Sequence, residues 1–388
     1  MKFAVTTLAS CVAALLALGM VMLYSSQMTH SGGRFLAIQM IGCGLGLVGC
    51  VAVTLADYRW LKKFWWLLFG GALALLVLVL IPGIGTVHGG ARRWFDFGRI
   101  SFQPSEFAKI ALIIAVAWYG EHYQRQMGTW LRGIIVPGLM VALVGGLLFK
   151  EPDVGNALVA AVVSGMMLIL AGISMKKFLL PALLCALAVG LFIYHNPMRS
   201  DRVYSWLHLE ETKLEKGHQA YQAMLALGAG GVTGLGLGNG RQKLGFIPQH
   251  HTDFIFSIIG EELGLIATML VVGAFLVIMI CGICISARAP DMFGFLLGCG
   301  ITFLIGLQAF VNIGVVTSAL PNKGLPLPFI SYGGSNVMVT LTCVGLLFSI
   351  ARRARSPQTA RSLAAEDASL DRGAVRSPRV REPDWQPA

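Results

Sequence analysis

The stretch HHTDFIFSIIGEELGLIATMLVVGAFLVIMICGICIS, His250–Ser286, joins three carboxylates to an apolar run that decides the fold. From Ile258 onward the run is long enough for a membrane helix, because about 20 residues at 1.5 Å each cross roughly 30 Å of hydrocarbon. An ionised carboxyl in lipid is costly, so Asp253, Glu261 and Glu262 must face water, protein or a ligand. The stretch predicts a spanning helix with chemistry at its entrance.

The rest of the chain repeats the apolar pattern. Of 388 residues, 56% are hydrophobic and 13% charged, a composition that excludes an ordinary soluble domain. Ten spans are predicted, near 8–24, 35–55, 65–81, 104–119, 133–149, 153–173, 177–194, 258–286, 291–315 and 333–351. The expected architecture is an all-α integral membrane protein, a polytopic domain over 1–354. It has a large extracytoplasmic loop, about 195–252, between the seventh and eighth helices. The apolar run after Lys2 lacks a clear small-residue cleavage site and reads as a retained first helix. Cys11, Cys43, Cys50, Cys185, Cys281, Cys284, Cys299 and Cys343 all lie in apolar runs without metal-ligand spacing, and read as packing residues.

Orientation follows from the basic residues at helix ends. With the N-terminus inside, short inner segments hold Lys2, Arg59, Lys62, Lys63, Arg125, Arg132, Lys176, Lys177, Arg288, Arg352, Arg353 and Arg355. An even number of spans places both termini in the cytoplasm. Residues 355–388 are polar and rich in Ala, Arg, Ser and Pro, which predicts a disordered cytoplasmic tail.

Further cations then fall outside, against the topological rule. They cluster at Arg92-Arg93-Trp94-Phe95-Asp96-Phe97-Gly98-Arg99 and in the long loop, at Arg199, Arg202, Lys213, Lys216, Arg241 and Lys243. Arginine recognises phosphate bidentately, so an anionic ligand explains them; attraction to lipid headgroups is the competing explanation. The glycine-rich segment 228–240, followed by Arg241 and Lys243, lacks the strand and βαβ context of a dinucleotide fingerprint. Its backbone N–H groups could approach a phosphate or sugar, or the segment could be a surface loop without a ligand.

Two further segments interrupt the apolar pattern. In Ser101-Phe102-Gln103-Pro104-Ser105-Glu106-Phe107-Ala108-Lys109, Pro104 suits a first helical turn, and Glu106 and Lys109 meet on one face. The pair is either functional or a structural tie between helices. In 321–335, three prolines and three glycines forbid a regular helix at membrane depth, so this loop must line protein or a wet cavity. That cavity is expected to be the one Asp253 faces. Asp253 could instead be a helix N-cap, as could Thr252.

Six separated segments occur in order: Gly90-Ala-Arg-Arg-Trp94, Phe102-Gln-Pro-Ser-Glu106, Glu151-Pro-Asp-Val-Gly155, Leu237 to Leu244, Pro248 to Gly264 and Lys323 to Gly334. Together they resemble the SEDS family of shape, elongation, division and sporulation proteins over nearly the whole chain except its tail. Ile258 to Gly264 and the Gln242-Lys-Leu-Gly stretch look more like its division branch, FtsW, than its elongation branch, RodA. His88-Gly-Gly and Glu151 depart from the usual family residues.

The resemblance implies a peptidoglycan glycosyltransferase that polymerises lipid II at the outer face of the bacterial cytoplasmic (inner) membrane, for septal wall synthesis. A lipid II flippase and a non-catalytic division scaffold are the alternatives. It implies Asp253 as the catalytic acid/base with Glu106 and Lys109 as its partners. Implied substrate contacts are Arg92, Arg93, Gln103, Ser105, Arg241, Lys243, His251, Lys323 and Ser331. Implied partners are a cognate class B penicillin-binding protein, other divisome proteins and membrane lipid, with no nucleic acid. A divalent cation, Mg2+ or Mn2+, could bridge Asp253 to a pyrophosphate, although no sequence motif fixes a metal site and no organic cofactor is expected.

Overall fold

The computed structural model describes residues 1–27, 34–88, 90–98, 100–215, 217–242 and 252–354. Lys243, His251 and the tail 355–388 lie outside the described residues. Helices occupy all ten stretches expected to span: α1 (Lys2–Gln27), α2 (Arg34–Leu55), α3 (Trp60–Leu80), α4 (Pro104–His122), α5 (Val136–Lys150), α6 (Val154–Leu170), α7 (Met175–His195), α10 (Ile255–Ser286), α11 (Met292–Val316) and α12 (Gly334–Arg353). A π-helical turn, Leu131–Ile135, leads into α5. Eight of the described helices are long and apolar enough to cross a membrane.

The two that fall short are α4 and α6, and their placement supplies the reason. Nearly every residue from Pro104 to Ala117 is buried, because α4 packs against α3, α6 and α11 in the middle of the bundle. A helix surrounded by protein can carry Glu106 and Lys109 without exposing them to lipid. By contrast α7 has no buried residue and presents Leu179, Leu183 and Leu187 outward.

Close helix approach rests on glycine, as expected where lipid gives no hydrophobic drive to association. A Cβ on Gly42 of α2 would lie 2.8 Å from the Gly334 Cα of α12, and one on Gly345 would lie 2.5 Å from the Cys50 carbonyl oxygen.

Two features depart from the all-helical expectation. The first is a three-stranded antiparallel sheet, β1 (Thr86–His88), β2 (Ala91–Phe97) and β3 (Ile100–Phe102), in the order β1-β2-β3. It pairs His88 with Ala91 and Phe97 with Ile100, folding the first outer basic cluster onto the bundle. The second is helical structure inside the long loop: α8 (Pro197–Leu207) and α9 (His218–Gly230). In α8 Pro197 occupies the first turn, where its missing N–H costs nothing.

The helix quoted at the outset is broken. At Gly264 the backbone turns to φ 78°, ψ −172°, a region open essentially to glycine alone. The break frees backbone groups that lipid could not satisfy, and the glycine-rich segment satisfies them. Leu235 and Gly236 N–H donate to the Glu261 and Glu262 carbonyls, while Leu265 and Ile266 N–H donate to the Gly231 and Val232 carbonyls. Gly230 and Gly234 lie so close that a Cβ there would meet the Gly260 oxygen at 1.9 Å and the Glu262 oxygen at 2.2 Å.

Candidate active site

Below the sheet and between the helix ends lies a cavity of about 1360 Å³. Its walls come from α2, β2, the start of α6, α8, the residues before α10, the loop 321–333 and α12. The irregular loop stays in place through its backbone. Gln39 of α2 donates from Nε2 to the Ser331 carbonyl (3.2 Å) and accepts from Gly333 N–H (3.0 Å).

Asp253 opens on this cavity and is otherwise enclosed by protein. Its carboxylate lies against Gly324, where a Cβ would stand 2.7 Å from Asp253 Oδ2, so a larger residue there would force the carboxylate to shift. It is not the N-cap of α10. That position is Phe254, which makes no side-chain capping bond. Burial raises the Asp253 pKa to about 6; Arg93 opposes the rise, Asp153 adds to it and Arg202 opposes it. A carboxylate held near pH 6 is a stronger base than an ordinary one and is still ionised at neutral pH.

Four cations line the same cavity: Arg93, Arg199, Arg202 and Lys323. Arg93 reaches Asp153 at 3.8 Å. Arg199, Arg202 and Lys323 form no ion pair with a carboxylate among the described residues. Burial, followed by Arg199 and Arg202, holds Lys323 below the ordinary lysine range, and burial with Arg202 lowers Arg199. The Arg199 guanidinium stacks over the Phe192 ring at 4.3 Å, and its Nη1 is buried without a hydrogen-bond partner among the described residues. Cations that crowd one another around a cavity form a site for a polyanion.

The other anticipated residues divide by position. Gln103 lines the cavity, donating from Nε2 to Asp153 Oδ2 at 3.3 Å. Glu106 and Lys109 do not line it; each is 1% exposed. Lys109 Nζ donates to Glu106 Oε1 (2.9 Å) and Asn156 Oδ1 (2.8 Å), and Asn336 Nδ2 donates to Glu106 Oε2 (2.9 Å). Asn156 and Asn336 themselves face the cavity, so the ion pair supports the wall from behind. It also ties α4 to α6 and α12.

Four anticipated substrate contacts point elsewhere. Arg92 turns back to the C-terminus of α3, donating from Nη1 to the Leu80 carbonyl at 3.3 Å, as strand alternation separates it from Arg93. Ser105 is buried in α4 away from the cavity. Ser331 is 2% exposed; its hydroxyl donates to the Thr252 carbonyl (2.6 Å) and accepts from Leu327 N–H (2.8 Å). Arg241 donates its backbone N–H to Glu261 Oε1 at 2.7 Å, and its side chain does not line the cavity.

The Arg241 bond belongs to a larger correction. The glycine-rich N–H groups do hold anions, but the anions are the chain's own. Gly238 and Gly240 N–H and the Ser25 hydroxyl donate to Glu262, and Gln242 N–H joins Arg241 on Glu261.

The family model described as "Cell cycle protein", which groups FtsW, RodA and SpoVE, matches residues 6–356. The chain belongs to the FtsW/RodA/SpoVE family. A relative from Geobacter metallireducens, named "Probable peptidoglycan glycosyltransferase FtsW", is 40% identical over 88% of this chain and 92% of its own. Stage V sporulation protein E of Bacillus subtilis is 36% identical over 88% of this chain and 95% of its own. Among solved structures, a peptidoglycan synthase complex described as coordinating polymerization and crosslinking contains a chain with a TM-score of 0.77. That chain is 30% identical, with 89% of this chain and 96% of that one covered. The rod shape determining protein RodA of Thermus thermophilus superposes with a TM-score of 0.67 at 29% identity, over 90% and 97%. FtsW/RodA/SpoVE membership accounts for the order of the six motifs.

Three cavity residues of this family member were given no individual role from sequence. Arg199 and Arg202 stood only among the outer-loop cations, because the turn of α8 that brings them over Lys323 leaves no motif. Asp153 lay inside a quoted motif without a role. It caps α6 by accepting from Asn156 N–H (3.2 Å) and also lines the cavity beside Arg93.

Proposed function

We propose that the protein is a peptidoglycan glycosyltransferase that polymerises lipid II at the outer face of the cytoplasmic membrane, in septal wall synthesis. The observation that carries this reading is one cavity, at the end of the helix bundle, holding a base at Asp253 and, at Arg199, Arg202 and Lys323, cations with no carboxylate partner among the described residues. A lipid-linked pyrophosphate donor needs both. The names of the relatives support the same activity.

In the proposed reaction Asp253 accepts the proton of the acceptor GlcNAc 4-hydroxyl as that oxygen attacks the anomeric carbon of the donor MurNAc. The new C–O bond forms on the face opposite the bond to the undecaprenyl pyrophosphate, which breaks and takes its electron pair to the leaving phosphate. Configuration inverts. Arg199, Arg202 and Lys323 neutralise the leaving group, and Arg93 keeps Asp253 ionised. Phe35, Ile38 and Leu45 of α2 supply an apolar cavity wall suited to the polyprenyl chain.

No group of three metal-ligating side chains occurs among the described residues. Asp253 is a cavity carboxylate able to share a Mg2+ or Mn2+ ion with pyrophosphate oxygens; Asp96 and Asp153 also line the cavity, Asp153 accepting from Asn156 and Gln103. Such an ion would add positive charge at the leaving group. The crosslinking partner is proposed to be a class B penicillin-binding protein, on the strength of the solved synthase complex. Both termini are proposed to lie in the cytoplasm, a reading supported by the basic residues at the inner helix ends.

Labelled lipid II supplied to the purified protein with its transpeptidase partner tests the reading. Wild type is expected to make glycan polymer and folded Asp253→Asn none. Translocation of lipid II across vesicles without polymer would establish a transporter instead, and full polymerisation by Asp253→Asn would remove the base from the mechanism.

A further inference from the structure

The proposed base and one of the proposed phosphate cations sit on two irregular segments, the residues before α10 and the loop 321–333. Their separation must be fixed, since irregular backbone supplies no ladder to hold it. Asn312 of α11 stands between them, 1% exposed. Its Nδ2 donates to the Asp253 carbonyl at 2.8 Å and to the Leu325 carbonyl at 2.7 Å. Both hydrogens of one planar amide are thereby committed, and the angle between them sets the angle between the two chains. Its Oδ1 has no hydrogen-bond partner among the described residues, so the buried amide acts here through its donors.

Ser331 makes a second cross-tie one residue away, donating to the Thr252 carbonyl. Between the two ties the Asp253 carboxylate rests on Gly324, the neighbour of Lys323. We propose that Asn312 is a positioning residue for glycosyl transfer: it pins Asp253 to the loop that carries Lys323, fixing the base at a set distance from the leaving pyrophosphate. The inference rests on the reading of Asp253 as the base. It predicts an effect on the chemical step more than on substrate binding, because both ties are to backbone carbonyls and neither touches the substrate. Misplacing a reacting group by about 1 Å is enough to cost roughly 100-fold.

The test measures kcat and KM for labelled lipid II, with the transpeptidase partner present, for wild type, Asp253→Asn, Asn312→Leu and Gln308→Leu. Gln308 lies one turn earlier on α11, is equally buried, and has neither amide atom partnered, so it reports the loss of any buried amide from this helix. Asn312→Leu is expected to lower kcat by 10- to 100-fold with KM within about twofold, and Gln308→Leu to stay near wild type. The acidic limb of the pH–rate profile, near pH 6 in wild type, is expected to move down in Asn312→Leu as Asp253 loosens from Gly324, and to stay in place in Gln308→Leu.

Should Asn312→Leu fail to fold, Asn312→Asp serves: it keeps the volume and, when protonated, one of the two donors, and is expected to give an intermediate kcat. A folded Asn312 variant with wild-type kcat and an unmoved acidic limb overturns the inference. So does an equal loss in Gln308→Leu. Activity in Asp253→Asn would instead overturn the reading on which it rests, and the two failures are told apart in one set of assays.

Discussion

Asp253 concentrates the conflict between stability and function in one side chain. Its pKa stands at about 6 against an ordinary 3.8, burial being the first cause. A folded-state pKa above the unfolded one favours the protonated form in the fold. The contribution to stability is therefore complete below about pH 3.8 and is lost as pH rises through about 6. Activity as a base has the opposite dependence and rises through the same window. At pH 7.5 the protein thus holds an ionised group that its surroundings disfavour, as functional sites do. Asp253→Asn is expected to abolish polymerisation while raising Tm in detergent by a few degrees at pH 7.5, with the gain vanishing near pH 4. Scanning calorimetry of both proteins at the two pH values checks this; a Tm loss at pH 7.5 would mean that the cations, not burial, dominate at Asp253.

At the scale of elements, the decisive structure is the break in α10. The fold encloses Glu261 and Glu262 in protein, and sequence reading identified both as carboxylates that lipid could not hold. It could not show the break, because Gly264 is one glycine in a continuous apolar run, and such a run reads the same whether straight or kinked. The partners were hidden for a related reason. They are backbone N–H groups of residues 238–242 and the Ser25 hydroxyl of α1, joined to Glu261 and Glu262 by tertiary folding alone. The helices themselves were legible because 20-residue apolar runs admit few alternatives. The sheet 86–102 was not, since its three short strands bury little and its alternation is interrupted by turns. Glu262 is wholly buried, and Ser25, Gly238 and Gly240 are three donors on it among the described residues. Glu262→Ala strands all three and is expected to destabilise the fold by about 3–5 kcal/mol, whereas Glu262→Gln keeps an acceptor and loses less. Gly264→Ala meets both a forbidden backbone region and the Gly234 nitrogen at 2.4 Å, and should fall with Glu262→Ala. Thermal unfolding in detergent ranks the three; equal stability of Glu262→Ala and wild type would show that water replaces the carboxylate.

Across the whole molecule, charge is arranged differently at the two ends of the bundle. At the end holding residues 57–62, 121 and 291, cations meet carboxylates: Lys62 bonds Glu121 at 2.8 Å and Asp291 at 2.7 Å, and Arg353 reaches Asp57 at 3.0 Å. At the cavity end Arg199, Arg202 and Lys323 have no carboxylate partner among the described residues. The first arrangement is complete in the protein alone, and the second is completed by a ligand. A polyprenyl pyrophosphate should therefore raise Tm by mass action, by about 2.7 kcal/mol of stability at a hundredfold excess over Kd. Arg202→Ala is expected to keep the Tm of the free protein or raise it, because it relieves crowding of like charge, and to lose most of the ligand-induced rise. Lys62→Ala should do the reverse, lowering Tm in the free protein and leaving the rise intact. High salt weakens the rise in wild type, as screening of an exposed polyanion site requires. Thermal shifts of the three proteins with and without the pyrophosphate lipid separate the two ends; a full rise in Arg202→Ala would place the polyanion outside this cavity.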